Sequence, residues 1–101
     1  MAKLSYSERA FSDLERLTDF LLESDPSAAV ETVGLIAEAV AVLKRHPLIG
    51  RPVEHDLREL VISRGRTGYV ALYSFEQDQE VVLILAIRHQ REAGYRVQDE
   101  A

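Results

Sequence analysis

The hydrophobic period of this chain changes once, and Pro47 marks the change. Before it, apolar residues recur every three or four positions, the spacing of one helix face. After it, they come in short runs of strand length. Each such element has one apolar face to bury, so the economical solution is a pair of helices laid on one small sheet. Ala10, Phe11, Leu14, Leu17, Leu21 and Leu22 keep the helical spacing, and Asp13, Glu15, Arg16 and Asp19 fill the other side. Ser5 or Ser7 can cap this helix, with Glu8 three residues after Ser5 as in a capping box. Asp25-Pro26 is a second start signal: an acceptor for first-turn amides, then a proline suited to the first helical position. Ala29, Val30, Val33, Ile36, Ala37, Val40 and Leu43 form the second stripe, and Pro47 disfavours helix at His46. So short a link makes the helices an antiparallel hairpin.

Residues 3–6 read as a short first strand. Leu48 to Asp56, punctuated by Gly50 and Pro52, reads as a loop. Leu57 to Ser63, Tyr69 to Phe75 and Val81 to Ile87 then read as three strands joined by polar turns, an antiparallel meander. The last run is continuous and β-branched, which predicts a strand in mid-sheet covered on both faces. The expected class is α+β, in the order β-α-α-β-β-β.

One hundred and one residues make one domain, 1–101, with Arg96, Gln98, Asp99 and Glu100 giving residues 96–101 the composition of a frayed end. The absence of cysteine excludes disulfides, thiolate metal sites and a cysteine nucleophile. No apolar run approaches the length of a membrane span, the longest having seven residues, and no export segment stands at the N-terminus; a cytoplasmic location is expected. Seventeen acidic against twelve basic side chains argue against bulk nucleic-acid binding. His46, His55 and His89 lack ligand spacing, and no phosphate loop or nucleophile elbow occurs, so neither metal nor cofactor is expected.

Two constellations carry possible chemistry. Ile87 to Tyr95 is an apolar strand that ends abruptly in Arg88, His89, Gln90, Arg91 and Glu92. His89, Arg91 and Tyr95 can serve acid–base work on a phosphodiester; equally, the arginines can pair with Glu92 while Tyr95 closes the core edge. Arg58, with Arg64 and Arg66 further on, can hold a partner's carboxylates or guard a sheet edge against aggregation.

Nearly end to end, the chain resembles the RelE/ParE superfamily of toxins from type II toxin–antitoxin (plasmid stabilisation) systems, and more closely its ParE-like branch. The matching pieces are Ala10, Asp13-Leu14, Asp25-Pro26, Ala28-Ala29, Leu43, His46-Pro47, Gly50-Arg51, Leu57-Arg58-Glu59-Leu60, Gly68-Tyr69-Val70, Leu72-Tyr73 and Ile87-Arg88-His89-Gln90-Arg91-Glu92. The resemblance implies a helical hairpin on an antiparallel sheet. It also implies a growth-inhibiting toxin neutralised by a ParD-like antitoxin, and Arg58, Arg64, Arg66, Arg88 and Arg91 are the candidate antitoxin- or target-binding residues. ParE-like members inhibit DNA gyrase without hydrolytic chemistry; RelE-like members cleave mRNA on the ribosome. Ribonucleases of the superfamily tend to alternate basic side chains along the strand here occupied by Val61 and Ser63, and to follow the Gly-Tyr pair with arginine, where this chain has Val70. The gyrase-directed reading is therefore favoured. In the alternative, mRNA endonuclease reading, His89, Arg91 and Tyr95 are catalytic. No helix-turn-helix is legible, so direct sequence-specific DNA binding falls to the antitoxin.

Overall fold

The computed structural model describes residues 1–64 and 67–92, with residues 63, 64 and 67 described by their backbone alone. The order is β1 (Lys3–Tyr6), α1 (Glu8–Ser24), α2 (Pro26–Ala41), β2 (Arg51–Val53), β3 (Leu57–Arg64), β4 (Thr67–Glu76) and β5 (Val81–His89). The strands form one sheet in the order β1-β5-β4-β3-β2. β1 runs parallel to β5, and every other neighbour is antiparallel.

Ser7, not Ser5, caps α1, its hydroxyl accepting from the Ala10 amide at 3.1 Å. Asp25 closes one helix and opens the next. Its amide donates to the Leu21 carbonyl at 2.7 Å, and its carboxylate accepts from the Ala28 amide at 3.3 Å. A single residue thus turns the hairpin. By length and composition Pro26–Lys44 could cross a membrane; here it is the hairpin's second arm, buried through Ala29, Ile36, Val40 and Leu43. Phe11, Phe20, Leu22, Val30 and Val33 of the hairpin stay exposed, although the spacing puts most of them in the apolar stripes.

The loop expected over 48–56 holds more structure than its punctuation suggests. Arg51–Val53 pairs with Leu57–Glu59 as an edge strand, and Glu54–Asp56 makes a tight turn with His55 and Asp56 both at positive φ. Three residues around a proline leave too short a pattern to read as a strand. The helix likewise ends at Ala41, before Pro47, and runs on as one 3₁₀ turn over Val42–Lys44.

β5 lies inside the sheet, between β1 and β4, but is not sealed on both faces. Val82, Ile84 and Ile87 are buried, whereas Val81, Leu83 and Leu85 are partly open. The helices cover one face only. A bulge corrects the phase: Ala86 pairs with Leu72 but Ile84 with Tyr73, leaving Leu85 unmatched. Ile84 and Ile87, three apart, therefore both reach the core with Ala71, Tyr73, Ile62, Ile36 and Val40.

β5 runs on past the end of β1 at Tyr6, and its buried backbone groups there need partners. Helix α1 supplies them. The Ser7 amide donates to the Ile84 carbonyl at 2.9 Å and the Ser7 hydroxyl to the Leu85 carbonyl at 3.1 Å. Asp13 accepts from the Ile87 amide at 2.8 Å. Asp13 is thus buried against the sheet, not on the polar side of the helix where its charge suggested.

At the other edge, the buried Tyr73 hydroxyl accepts from the Gly50 amide at 2.9 Å and donates to the Pro47 carbonyl at 2.8 Å. A Cβ on Gly50 would stand 2.6 Å from that hydroxyl and 2.7 Å from the Glu59 carbonyl oxygen, so only glycine fits without displacement.

Asp13→Ala is expected to lower unfolding free energy by about 2–3 kcal/mol, since it leaves a buried amide unpaired, and Asp13→Asn to lose less; denaturant titration measures both. Burial raises the pKa of Tyr73 and of Tyr6 above the ordinary 10.0. The unfolded chain therefore releases these protons first. Their contribution to stability is intact below pH 10 and declines as pH rises through the higher folded values. Unfolding followed across alkaline pH should show this slope, and Tyr73→Phe should flatten it.

Candidate functional site

Bringing β5 against α1 also builds the polar end of the sheet. His89, the last residue of β5, sits opposite Tyr69 of β4, and the two rings meet edge to face at 5.2 Å between centroids. The strand then turns back on itself. The His89 amide donates to Glu92 Oε1 at 2.8 Å, the Glu92 amide to the His89 carbonyl at 3.0 Å, and the Arg91 amide to His89 Nδ1 at 3.0 Å. With Nδ1 accepting, the neutral imidazole carries its proton on Nε2.

Arg16 locks this turn to the helix. Its Nη1 donates to Glu92 Oε2 at 2.9 Å, and its Nη2 lies 3.5 Å from both Glu92 Oε1 and Asp13 Oδ1. A continuous polar chain therefore runs from the Ile87 amide through Asp13, Arg16 and Glu92 to the His89 amide. Beside it Leu17, Phe20 and Leu21 of α1, with Tyr69 of β4, form apolar walls. Together with Arg16, His89, Arg91 and Glu92 they enclose a groove of about 540 Å³. An oriented imidazole, an exposed arginine and stacking surfaces can serve recognition or proton transfer. Charge is nearly balanced, however: Arg16 and Arg91 stand against Asp13 and Glu92. Among the described residues, no three potential ligands gather around a metal position.

Of the residues singled out from sequence, the groove unites His89 and Arg91. Arg88 lies on the sheet's other face, where its Nη1 donates to the carbonyls of His89, Gln90 and Glu92 at 3.2–3.4 Å. Arg58 is at the β2 edge, its Nη1 donating to the carbonyls of Leu48 at 3.1 Å and Gly50 at 2.8 Å. Arg64 ends β3, but its side chain, together with Arg66, Tyr95 and the tail 96–101, falls outside the described residues. Asp13, Arg16, Phe20 and Tyr69 were not anticipated as site residues. Asp13 had a signal: with Ala10, Leu14 and Leu17 it keeps the three-and-four spacing of the buried stripe.

The family model describing the ParE toxin of type II toxin–antitoxin systems, parDE, matches residues 4–94. The chain belongs to this family of toxins, within the wider ParE/RelE group. Among curated relatives, Toxin RelE3 of Caulobacter vibrioides is 37% identical over 92 residues, covering 91% of this chain and 98% of the relative. Toxin RelE1 of the same organism is 39% identical over 67 residues, covering 66% and 72%. The toxin fold matches a chain of the chromosomal ParDE system from P. aeruginosa with a TM-score of 0.75 and 26% identity, over 88% of this chain and 96% of that one. It also matches a chain of the RelBE2 toxin–antitoxin complex from Mycobacterium tuberculosis with a TM-score of 0.56 and 25% identity, over 90% and 93%.

Glu92→Ala removes the acceptor shared by Arg16 and the His89 amide. The expected cost is about 1–2 kcal/mol in this partly open setting, with the backbone amide signal of His89 displaced in an NMR spectrum.

Proposed function

We propose that this toxin arrests growth by binding DNA gyrase in the cytoplasm and is held inactive by a ParD-like antitoxin. The observation that carries the reading is the direct pairing of Val61 on β3 with Val70 on β4. Both lie on the sheet face away from the helices, beside Leu72 and Ala86. A scissile phosphate needs cations to stabilise its pentacoordinate transition state; Val61 and Val70 supply none, and Arg88, opposite Val70 on the same face, is engaged with the carbonyls of His89, Gln90 and Glu92. The balanced charge of the His89 groove supports the same reading.

The antitoxin has surface to cover. Phe11, Phe20, Leu22 and Val30 expose apolar area on the hairpin, with Phe20 71% accessible. β2 pairs only with Leu57–Glu59, so the rest of β3 has no strand on that side among the described residues. A disordered antitoxin segment can lay a helix on the first and add a strand to the second. Arg91, exposed at the groove rim, takes one of its carboxylates. Arg58 and Arg88 contribute by holding the loops they bond, and Arg64 and Arg66 belong to the contact set on sequence alone.

One observation favours the endonuclease alternative: His89 is held through Nδ1 beside Arg91, an arrangement suited to proton transfer at Nε2. There His89, Arg91 and Tyr95 act on mRNA in the ribosome.

Purified, antitoxin-free toxin titrated into a gyrase supercoiling reaction is expected to inhibit it and to accumulate cleaved DNA, with His89→Ala retaining this effect. Folded protein that binds its antitoxin but leaves gyrase untouched sinks the reading. Cleavage of mRNA on programmed ribosomes, lost in His89→Ala, would establish the alternative.

A further inference from the structure

The turn before β2 is built against the usual order of a loop. Leu48 and Ile49 are adjacent large aliphatic residues, 58% and 57% accessible, at a tip where polar residues are the norm. Beneath them the backbone is unusually well held. The Tyr73 hydroxyl bonds the Pro47 carbonyl and the Gly50 amide, and Arg58 Nη1 bonds the Leu48 and Gly50 carbonyls. The Ile49 amide adds a bond to the His46 carbonyl at 3.1 Å. Tyr73 is itself wholly buried, and Gly50 has no room for a side chain. The tip is therefore fixed from the core outward while its two apolar side chains face water.

Its charge is also unlike the rest of the molecule. The chain has a net charge of −5, yet between Glu38 and Glu54 it contains Lys44, Arg45 and Arg51 and no carboxylate. Lys44 and Arg45 are exposed beside the tip; Arg51, on its other flank, is paired with Glu59 at 2.8 Å. Two neighbouring φ-positive residues, His55 and Asp56, turn the chain sharply back from this edge into β3.

We infer that Leu48 and Ile49 form a rigid anchor that inserts into an apolar pocket rimmed by acidic residues on the toxin's folded target protein. The inference rests on the reading of the toxin as one that acts by protein contact. Pre-ordered side chains lose little entropy on docking, so two aliphatic groups on a fixed turn can bind tightly from a small area. The shape selects the kind of partner. A disordered antitoxin segment wraps grooves and extends sheet edges, whereas a convex fixed tip suits a concavity already formed in a folded protein. The exposed Lys44 and Arg45 favour an acidic rim through charge complementarity.

The test compares full-length wild type with Leu48→Ser/Ile49→Ser, both released from antitoxin, by growth arrest on induction and by inhibition of gyrase supercoiling. The variant should fold, with the wild-type circular dichroism spectrum, and bind antitoxin with wild-type affinity. It should need about 100-fold more protein for the same arrest, as expected for losing a hot-spot pair. Lys44→Glu/Arg45→Glu should weaken the effect about tenfold and reduce its salt dependence. Equal potency of the serine variant overturns the anchor. Weakened antitoxin binding by that variant overturns it too, by assigning the tip to the antitoxin. An unaffected charge variant overturns the acidic rim. If wild type arrests growth without inhibiting gyrase, the gyrase reading fails while the growth comparison still judges the anchor; a wild type that does not arrest growth defeats both.

Discussion

The fold depends on how one irregularity is resolved. β5 must present Ile84 and Ile87 to the same core, and a regular strand cannot show residues three apart on one face. The bulge at Leu85 permits it; beside it the Leu85 carbonyl and the Ile87 amide bond outside the sheet. Ser7, the N-cap of α1, and Asp13, in its second turn, take up those groups. The helix is thus registered against the sheet by directional bonds as well as by packing of apolar surface. Because Asp13 also bonds Arg16, the same contact carries on to Glu92 and fixes the exit of β5. Structure and site share one set of bonds.

This arrangement clarifies what was legible in the sequence. Helical spacing, the Asp25-Pro26 start and the β-branched runs carry local information, and each became the expected element with small changes at its ends. What was missed arises between distant segments. Asp13 keeps the spacing of the buried stripe, but its partner, the Ile87 amide, lies 74 positions away, and no local pattern announces that bond. β2 exists because β3 offers it an edge, not because Arg51-Pro52-Val53 favours strand. The face of β5 away from the helices was expected to be covered, since a continuous apolar run reads the same whether one face or both are packed. His89 and Arg91 were found from the abrupt change of polarity at the strand end, whereas the α1 wall of their groove was not.

Relatives named RelE and a family model named for ParE meet in this one chain. Both kinds of toxin use the same scaffold, so the hairpin and sheet establish the family and leave the target to particular side chains. In this chain Val61 and Val70 place hydrocarbon on the sheet face away from the helices, with Val70 buried, and Arg16 and Glu92 pair in the groove.

The parallel pairing of β1 with β5 has a consequence for the order in which the molecule is made. Lys3–Tyr6 is made before the strand it joins and has no partner until Val81–Ile84 follows. The hairpin can form in the interval, but its inner face and the Asp13 carboxylate wait for the same late strand. Closing the sheet between strands so far apart in sequence delays the finished core until β5 is made. A fragment lacking β5 has neither a finished core nor the His89 groove, so the apolar face of the hairpin stays uncovered until that strand is made.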